Sequence, residues 1–115
     1  MKISISSMGD TLNSKVSEQF GRCPYFLIID SETMEFKSVP NPGIKMMGGA
    51  GPEAVRLISS YNAEVILTGA VGPNAQAALN AAGIKIVTGF QSDAIVKDVV
   101  EKYINNKEQN NGHKK

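Results

Sequence analysis

The first forty residues alternate apolar and polar positions in the manner of β-strands. KISIS, residues 2–6, carries isoleucine at every second position, which predicts a first strand. Residues 25–29 are continuously apolar and rich in aromatic and β-branched side chains, as in a strand covered on both faces. After the turn residues DSET, the segment MEFKSV alternates again. The pattern therefore predicts an antiparallel hairpin of strands two and three, with strand three at an edge of the sheet.

The pattern changes after PNPG, a segment that cannot continue a strand, to alternating helices and strands. Apolar residues recur at helical spacing in three segments, and Ser92 is the expected N-cap of the third helix. The three apolar stripes are Ala54, Leu57, Ile58 and Tyr61; Ala75, Ala78, Leu79 and Ala82; and Val96, Val99, Val100 and Tyr103. Between the helices, EVILT and IKIV predict strands four and five.

This order of elements predicts an α/β fold in a single domain. The β-α-β-α series of the second half calls for parallel strands joined by right-handed crossovers. With the hairpin, it gives a five-stranded mixed sheet that has one reversed strand and helices on its faces. The domain is expected to cover residues 1–104. Residues 105–115 are polar and without periodicity, which predicts a disordered tail.

Composition excludes several classes of partner and location. The 12 Lys and Arg residues nearly balance the 11 Asp and Glu residues, so we expect neither a nucleic acid nor an acidic membrane surface as partner. One cysteine cannot form an internal disulfide, and the N-terminus lacks the apolar region of a signal peptide. No run reaches the roughly 18 apolar residues of a membrane span. The expected setting is the cytoplasm.

If strand two is reversed, three unusual loops meet at one edge of the sheet, the carboxyl edge at which ligands bind in open α/β folds. Two of these loops, GGAGP and GAVGPN, lead directly into helices. Glycine permits close approach of the backbone, and helix N-termini present free N–H groups with partial positive charge, so both loops are candidate anion sites. The alternative is that these glycines only form tight turns. The candidate residues are Gly48, Gly49, Gly51, Gly69 and Gly72.

The usual signatures of nucleotide binding and of nucleophilic catalysis do not occur in the sequence. GGAGP lacks the Gly-x-Gly-x-x-Gly spacing, and no Gly-Lys-Ser/Thr triplet is present, so ATP or NAD is not expected. The only histidine, His113, belongs to the predicted tail, which argues against a Cys-His pair. Asp10 and Glu18 are candidate bases without a visible partner. The residues alone therefore show no evident catalytic pair.

Three sulfur-containing side chains are candidate ligands of a soft metal. Arg22 and a nearby helix N-terminus are expected to lower the pKa of the Cys23 thiol from about 8.5 and to favour the thiolate. The alternative for Cys23 is a small buried hydrophobic residue. The thioethers of Met46 and Met47 are candidate ligands of Cu(I), and the alternative for them is an adaptable apolar lining.

Three motifs, EQFGRCPYFLIID, GGAGPEAVRLI and VILTGAVGPNAQAALNAAGIKI, occur in this order over nearly the whole predicted domain. In order and spacing they resemble the dinitrogenase iron-molybdenum cofactor biosynthesis family, the NifX-type domain that is also found fused in NifB and NafY proteins. The resemblance implies a ribonuclease H-like, three-layer α/β/α architecture. It also implies the sheet order 3-2-1-4-5 with strand two antiparallel.

The resemblance further implies a carrier of an anionic metal-sulfur cluster and not a catalyst. Family members hold the iron-molybdenum cofactor, its iron-sulfur precursor or another molybdenum-containing cluster, and a protein partner in cluster delivery is then expected. Within the matching motifs, the residues expected to join the glycines at the cofactor site are Phe20, Gly21, Arg22 and Asn74.

The sequence departs from the family pattern at two positions. Many relatives have histidine directly before FG, where this chain has Gln19, and directly before GAG, where it has Gly49 preceded by Gly48. Without these imidazoles, Cys23 is the first candidate anchor, followed by the two methionines. Two alternatives remain: a protein-interaction or regulatory module that has lost the cofactor, and an enzyme acting on a small anionic substrate. The resemblance does not establish a role in nitrogen fixation.

Overall fold

A five-stranded mixed sheet forms the centre of the protein in a computed structural model, which describes the backbone of residues 1–112 and the side chains of residues 1–107. The strands are β1 Lys2–Ser7, β2 Tyr25–Asp30, β3 Phe36–Pro40, β4 Val65–Leu67 and β5 Lys85–Val87. Their order in the sheet is β3-β2-β1-β4-β5. β2 is antiparallel to both of its neighbours, whereas β4 is parallel to β1 and β5. The predicted fold class, strand order and reversed second strand are confirmed.

Helices cover both faces of this sheet. The helices are α1 Ala50–Ser60, α2 Pro73–Ala81 and α3 Val96–Gly112, and a short 3-10 helix, Pro42–Lys45, precedes α1. α1 and α2 pack on one face in one buried apolar cluster, and α3 packs on the other face in a second cluster. This is the three-layer arrangement that the family resemblance implies. No helix within residues 1–112 has the length and apolar character that crossing a membrane requires.

β1 lies at the centre of the sheet and serves both cores. Its isoleucines, Ile3 and Ile5, belong to the cluster under α3. Ser4 and Ser6 are also fully buried, and each hydroxyl makes a hydrogen bond: Ser4 Oγ donates to the carbonyl of Val65 (2.6 Å) and Ser6 Oγ to the carbonyl of Ser17 (2.7 Å). The polar positions of the alternating pattern are therefore buried and hydrogen-bonded, because the strand is covered on both faces.

The hairpin confirms the predicted pairing of β2 with β3 but shortens the second strand of the pair. Met34 adopts a left-handed backbone conformation with φ 63°, and its N–H donates to the carbonyl of Asp30 (2.8 Å). Met34 therefore belongs to the turn, and β3 begins at Phe36. β3 lies at the edge of the sheet, as predicted, and can therefore end on Pro40.

Both ends of α3 differ from the prediction. The helix begins at Val96, because Ile95 pairs with Lys15 in an extended bridge and residue 92 is therefore not the N-cap. The N–H of Val96 donates to the carbonyl of Ser14 (2.9 Å), which satisfies part of the first turn. The helix continues through Gly112, past the predicted start of the tail at residue 105. Asn, Lys, Glu and Gln extend a helix that packing has already nucleated. Residues 113–115, including His113, lie outside the described residues.

Candidate functional site

The reversed β2 brings three loops to one end of the sheet. The chain that leads into β2 runs beside the loop that follows β4. Gln19 and Ala70 form a parallel bridge, in which the N–H of Phe20 donates to the carbonyl of Ala70 (3.2 Å) and the N–H of Ala70 to that of Glu18 (2.8 Å). This end of the sheet is the carboxyl edge of the parallel strands, where α/β folds bind ligands.

A solvent-open cleft of about 280 Å³ lies at this edge, between the first turns of α1 and α2 and the chain before β2. Its lining residues are Gly21, Arg22, Gly49, Ala50, Gly51, Pro52, Gly72, Pro73, Asn74 and Ala75. The set includes six of the predicted cofactor-binding residues: Gly21, Arg22, Gly49, Gly51, Gly72 and Asn74. We refer to this space as the two-helix cleft.

The helix starts contribute backbone donors to the two-helix cleft. Gly49 and Gly72 are the N-caps of α1 and α2, and neither makes a side-chain capping hydrogen bond. The first helical hydrogen bonds are donated by Glu53 to the carbonyl of Gly49 (3.1 Å) and by Gln76 to that of Gly72 (2.9 Å). The amides that precede these donors have no intrahelical acceptor. Proline contributes no amide, so the donors of the first turns are those of Ala50, Gly51, Asn74 and Ala75.

Close packing of α1 against α2 depends on Gly51. A Cβ atom at this position would lie 2.9 Å from the Cβ of Ala75, closer than real side-chain carbons approach one another. Gly49, just before α1, has φ 73°, a left-handed conformation that glycine adopts without strain. The two glycines together allow the two helix N-termini, with their partial positive charges, to face the same cleft.

Arg22 is the single charged side chain among the residues that line the two-helix cleft. Its Nη1 donates to the carbonyl of Gly43 (3.0 Å) and also to the carbonyl of Met46. The guanidinium is therefore held over the loop before α1, and among the side chains of residues 1–107 it forms no ion pair with a carboxylate. Together with the two helix N-termini, it makes the site favourable to an anion.

Cys23 lies behind the cleft, in the core, and our expectation for its thiol is wrong. The side chain is 0% exposed and packs in the cluster under α1 and α2. Burial raises the pKa of the Cys23 thiol from 9.0 to about 12, against smaller lowering effects of hydrogen bonds from the Ser7 backbone and the Asn41 side chain. At neutral pH the thiol is protonated and donates weakly to the carbonyl of Phe20 (3.4 Å). The structure thus favours the alternative of a small buried hydrophobic residue.

Asn41 is a structural residue of this region that the sequence interpretation missed. It is 2% exposed, and its Nδ2 donates to the carbonyls of Gly21 and Cys23, each at 3.0 Å. Its Oδ1 accepts from the N–H of Gly43 (2.9 Å). Asn41 thereby ties the chain before β2 to the loop before α1. The sequence signal is the asparagine of PNPG, since asparagine commonly hydrogen-bonds to backbone two residues later.

The other predicted site residues lie apart from the two-helix cleft. Phe20 is buried against Phe26, with ring centroids 5.2 Å apart. Gly69 packs against the backbone of Glu18, which a Cβ atom would approach to 2.6 Å, so it has the structural role of a tight contact. Gly48 faces open space.

Neither methionine lines the cleft. Met47 is fully exposed, and Met46 is half-buried beside Gly49. Within residues 1–107, no group of three or more His, Cys, Asp or Glu side chains is arranged to hold a metal ion. The metal-ligating roles of Cys23, Met46 and Met47 stay predictions, and the positions of these residues do not support a preformed metal site.

Comparison with known families identifies the relatives of this fold. The family described as "Dinitrogenase iron-molybdenum cofactor" matches residues 1–106. The chain belongs to this family. The match covers almost all of the described residues and confirms the resemblance seen in the three motifs.

Solved structures of relatives share the architecture. The apo form of the orange protein from Desulfovibrio gigas superposes with a TM-score of 0.87 at 33% identity, over 91% of this chain and 88% of that one. A Thermotoga protein described as a candidate NifB protein of the DUF35 family has a TM-score of 0.77 at 32% identity, over 90% of this chain and 87% of its own. An uncharacterized protein of Methanocaldococcus jannaschii is 30% identical over 77 residues, which span 64% of this chain and 65% of that relative.

The structure shows where the two positions lie at which the sequence departs from the expected histidine pattern. Of the two glycines at the second position, Gly49 lines the two-helix cleft, whereas Gly48 faces open space. Gln19, the other such position, is exposed next to the cleft-lining segment and pairs with Ala70 through its backbone. In this member the side of the cleft formed by Gly49 therefore offers backbone and no imidazole.

Proposed function

We propose that this protein binds an anionic metal-sulfur cluster in the two-helix cleft, as a binding or carrier protein and not as an enzyme. The observation that carries the proposal is the convergence of two uncapped helix N-termini and the Arg22 guanidinium on one open cleft. Family membership and the similarity to the orange protein support a cluster as the ligand.

The donor set suits an anion that brings its own metal ligands. The lining residues supply N–H groups and a guanidinium, whereas no cysteine or histidine is among them. Soft metals are bound directly by thiolate, thioether or imidazole, so this lining offers no such inner-sphere ligand. Hydrogen bonds to the sulfur atoms of a preassembled cluster are the interaction that these donors can make. We therefore propose that the cargo arrives with its metals already coordinated.

The size and openness of the cleft suit a carrier. Its volume of about 280 Å³ lies just under the roughly 300–1,000 Å³ of common small-molecule pockets, so it accepts a small anion or one face of a larger cluster. A ligand held at an open edge can be taken up and released without unfolding. A protein partner that supplies or receives the cluster is part of this proposal.

Anaerobic titration with tetrathiomolybdate, a tetrahedral molybdenum-sulfur anion, tests the proposal. We expect saturable binding, seen as a change in the visible absorption of the anion, together with thermal stabilisation of the protein. Metal analysis of anaerobically purified protein is the parallel measurement, and we expect Mo, Fe or Cu to be retained.

Arg22→Gln removes the charge that lines the cleft, and we expect it to weaken binding about tenfold or more, as loss of a charge-assisted hydrogen bond does. Arg56→Gln is the matched control, because Arg56 is an exposed arginine of α1 whose ion pair is with Glu53 (3.8 Å), outside the cleft. Equal weakening by both variants would contradict the assigned site. Stabilisation by inorganic phosphate but not by tetrathiomolybdate would contradict the ligand class and favour an enzyme of small anions.

A further inference from the structure

We propose that Arg22 couples occupancy of the two-helix cleft to the order of the loop formed by residues 43–49. The inference rests on the proposed function, since it requires an anion in the cleft. It assigns Arg22 a positioning role in addition to direct binding, because the guanidinium that lines the cleft also holds the loop that leads into α1.

The hydrogen-bond inventory of Arg22 permits both contacts at once. A guanidinium has five N–H donors, and the two on Nη1 are the ones that face the carbonyls of Gly43 and Met46. Nη2 and Nε remain for an acceptor on the side of the cleft. Arg22 can therefore bridge a bound anion and the loop without releasing either, which a lysine with its single ammonium group cannot do in the same planar geometry.

The loop has few fixed points between its two ends: its first residues belong to the short 3-10 helix, which the hydrogen bond from the N–H of Met46 to the carbonyl of Gly43 (3.1 Å) closes. At its start, Gly43 is buried and its N–H donates to Asn41 Oδ1 (2.9 Å). At its end, Gly49 is the N-cap of α1. Ile44, Lys45 and Met47, which lie between these ends, are exposed. Within residues 1–107, the side-chain hydrogen bond to the carbonyl of Met46 comes from Arg22.

The coupling follows from shared conformational entropy. An exposed arginine loses rotamer freedom when it makes a specific set of hydrogen bonds. When an anion fixes the guanidinium from the cleft side, the Arg22 side chain has already lost that rotamer freedom. The two hydrogen bonds to the loop then form with less opposing entropy. Binding in the cleft should therefore hold residues 43–49 more tightly even if no backbone atom moves.

Lys45 provides a direct measurement, because trypsin cleaves after this exposed residue in the middle of the loop. The full chain is digested under limiting conditions with and without saturating tetrathiomolybdate, and peptides are quantified by mass spectrometry. We expect cleavage after Lys45 to slow about fivefold or more, the lower end of typical coupling between sites. Cleavage after Lys107, an exposed residue of α3 on the opposite face of the sheet, reports on general effects of the anion on trypsin and should not change.

Arg22→Lys separates the coupling from the binding. This variant keeps the positive charge, and we expect it to bind the anion with reduced affinity while cleavage after Lys45 becomes independent of the anion at saturation. Arg56→Lys is the control and should behave as the unaltered protein. Circular dichroism verifies that each variant is folded.

The outcomes separate this inference from the proposed function on which it rests. Saturable binding to the unaltered protein with unchanged cleavage after Lys45 overturns the coupling and leaves the cluster site in place. Equal slowing after Lys45 and Lys107 also overturns it. Absence of binding overturns both proposals. Protection that persists in Arg22→Lys at saturation would show that another group connects the cleft to the loop.

Discussion

Two neighbouring parts of the same sheet edge have opposite physical characters. The core around Cys23, under α1 and α2, is closed and apolar. Burial there raises the pKa of the Cys23 thiol to about 12. The two-helix cleft, a few residues away in the chain, is open and is lined by backbone amides and the Arg22 guanidinium. The reactive side chain, Cys23, therefore lies in the closed core, and the open geometry that suits a ligand lies in the two-helix cleft.

If the two-helix cleft binds an anion as proposed, recognition at this edge depends on backbone geometry more than on reactive side chains. The amides of the first turns are available because glycine and proline at the helix starts leave them without side-chain caps. Asn41 connects the two parts, since its amide holds the carbonyls of Gly21 and Cys23 from within the core. Four substitutions test the contrast.

Loss of the Asn41 amide should have the largest effect. Asn41→Ala leaves the carbonyls of Gly21 and Cys23 and the N–H of Gly43 without their partner, and buried polar groups without partners cost about 1–3 kcal/mol. We expect the free energy of unfolding, measured by urea denaturation, to fall by about 3 kcal/mol, at the upper end of that range. Asn74→Ala, at an exposed asparagine, is the control and should change it by less than about 0.5 kcal/mol. Equal effects would mean that Asn41 does not hold the edge together.

Adding one carbon at Gly51 should separate the two helix starts. The new Cβ of Gly51→Ala would lie 2.9 Å from that of Ala75, and overpacking of this kind costs about 1–3 kcal/mol. We expect unfolding to become easier by about 2 kcal/mol and tetrathiomolybdate to bind more weakly, because the donors of α1 and α2 no longer face one cleft. Gly48→Ala, where the added carbon meets open space, should alter neither measurement. Undiminished binding by Gly51→Ala would show that the convergence of the helices is not required.

The raised pKa of Cys23 predicts a specific dependence of stability on pH. The unfolded thiol ionises above pH 9.0, whereas the folded thiol stays protonated until about pH 12, so its contribution is intact below pH 9 and is lost as the pH rises. Between these values we expect the difference in unfolding free energy between the unaltered protein and Cys23→Ala to shrink by about 1.4 kcal/mol per pH unit.

Denaturation of both proteins at pH 8 and pH 10 measures this difference, and the variant itself removes the contribution of other titrating groups. A difference that stays constant with pH would indicate an accessible thiol. If Cys23→Ala also lost tetrathiomolybdate binding while remaining folded, the predicted role of Cys23 as an anchor would be restored.

The exposed methionine should have the smallest effect. Met47 makes no buried contact, so we expect Met47→Ala to change the unfolding free energy by less than about 0.5 kcal/mol, as most surface substitutions do. Metal retained after anaerobic purification should also be unchanged. A variant that purified without metal would instead support the predicted thioether ligand, with Met46→Ala as the comparison.

Much of the fold could be predicted because its elements are encoded locally. The continuous apolar run before residue 30 and the alternating segment after it specified the hairpin, and three apolar stripes specified three helices. The details that failed depend on contacts distant in sequence. α3 begins at Val96, and Ser92 is not its N-cap, because Lys15 and Ser14 from the loop after β1 pair with Ile95 and Val96. The left-handed turn at Met34 is a local feature, but methionine gives no sequence signal for that backbone conformation.

The candidate site was only partly predictable. Glycines at helix starts indicated an anion site, and three of them, Gly49, Gly51 and Gly72, do line one cleft with Arg22 and Asn74. Two predicted glycines lie elsewhere: Gly48 faces open space, and Gly69, in the same loop as Gly72, packs against Glu18. Asn41 and Gly43, which connect the chain before β2 to the loop before α1, were not predicted as site residues because neither carries reactive chemistry.

By itself, the sequence determined the elements, their order and the loops that are rich in glycine, because hydrophobic periodicity and backbone preferences are local properties. Tertiary structure decided which side of the edge each residue occupies. The same segment that leads into β2 directs the Cys23 side chain into the core and Arg22 to the surface, so that Arg22 lines the cleft as expected and Cys23 does not. A thiol becomes a ligand or a core residue according to its solvation, and solvation is set by packing between segments far apart in the chain.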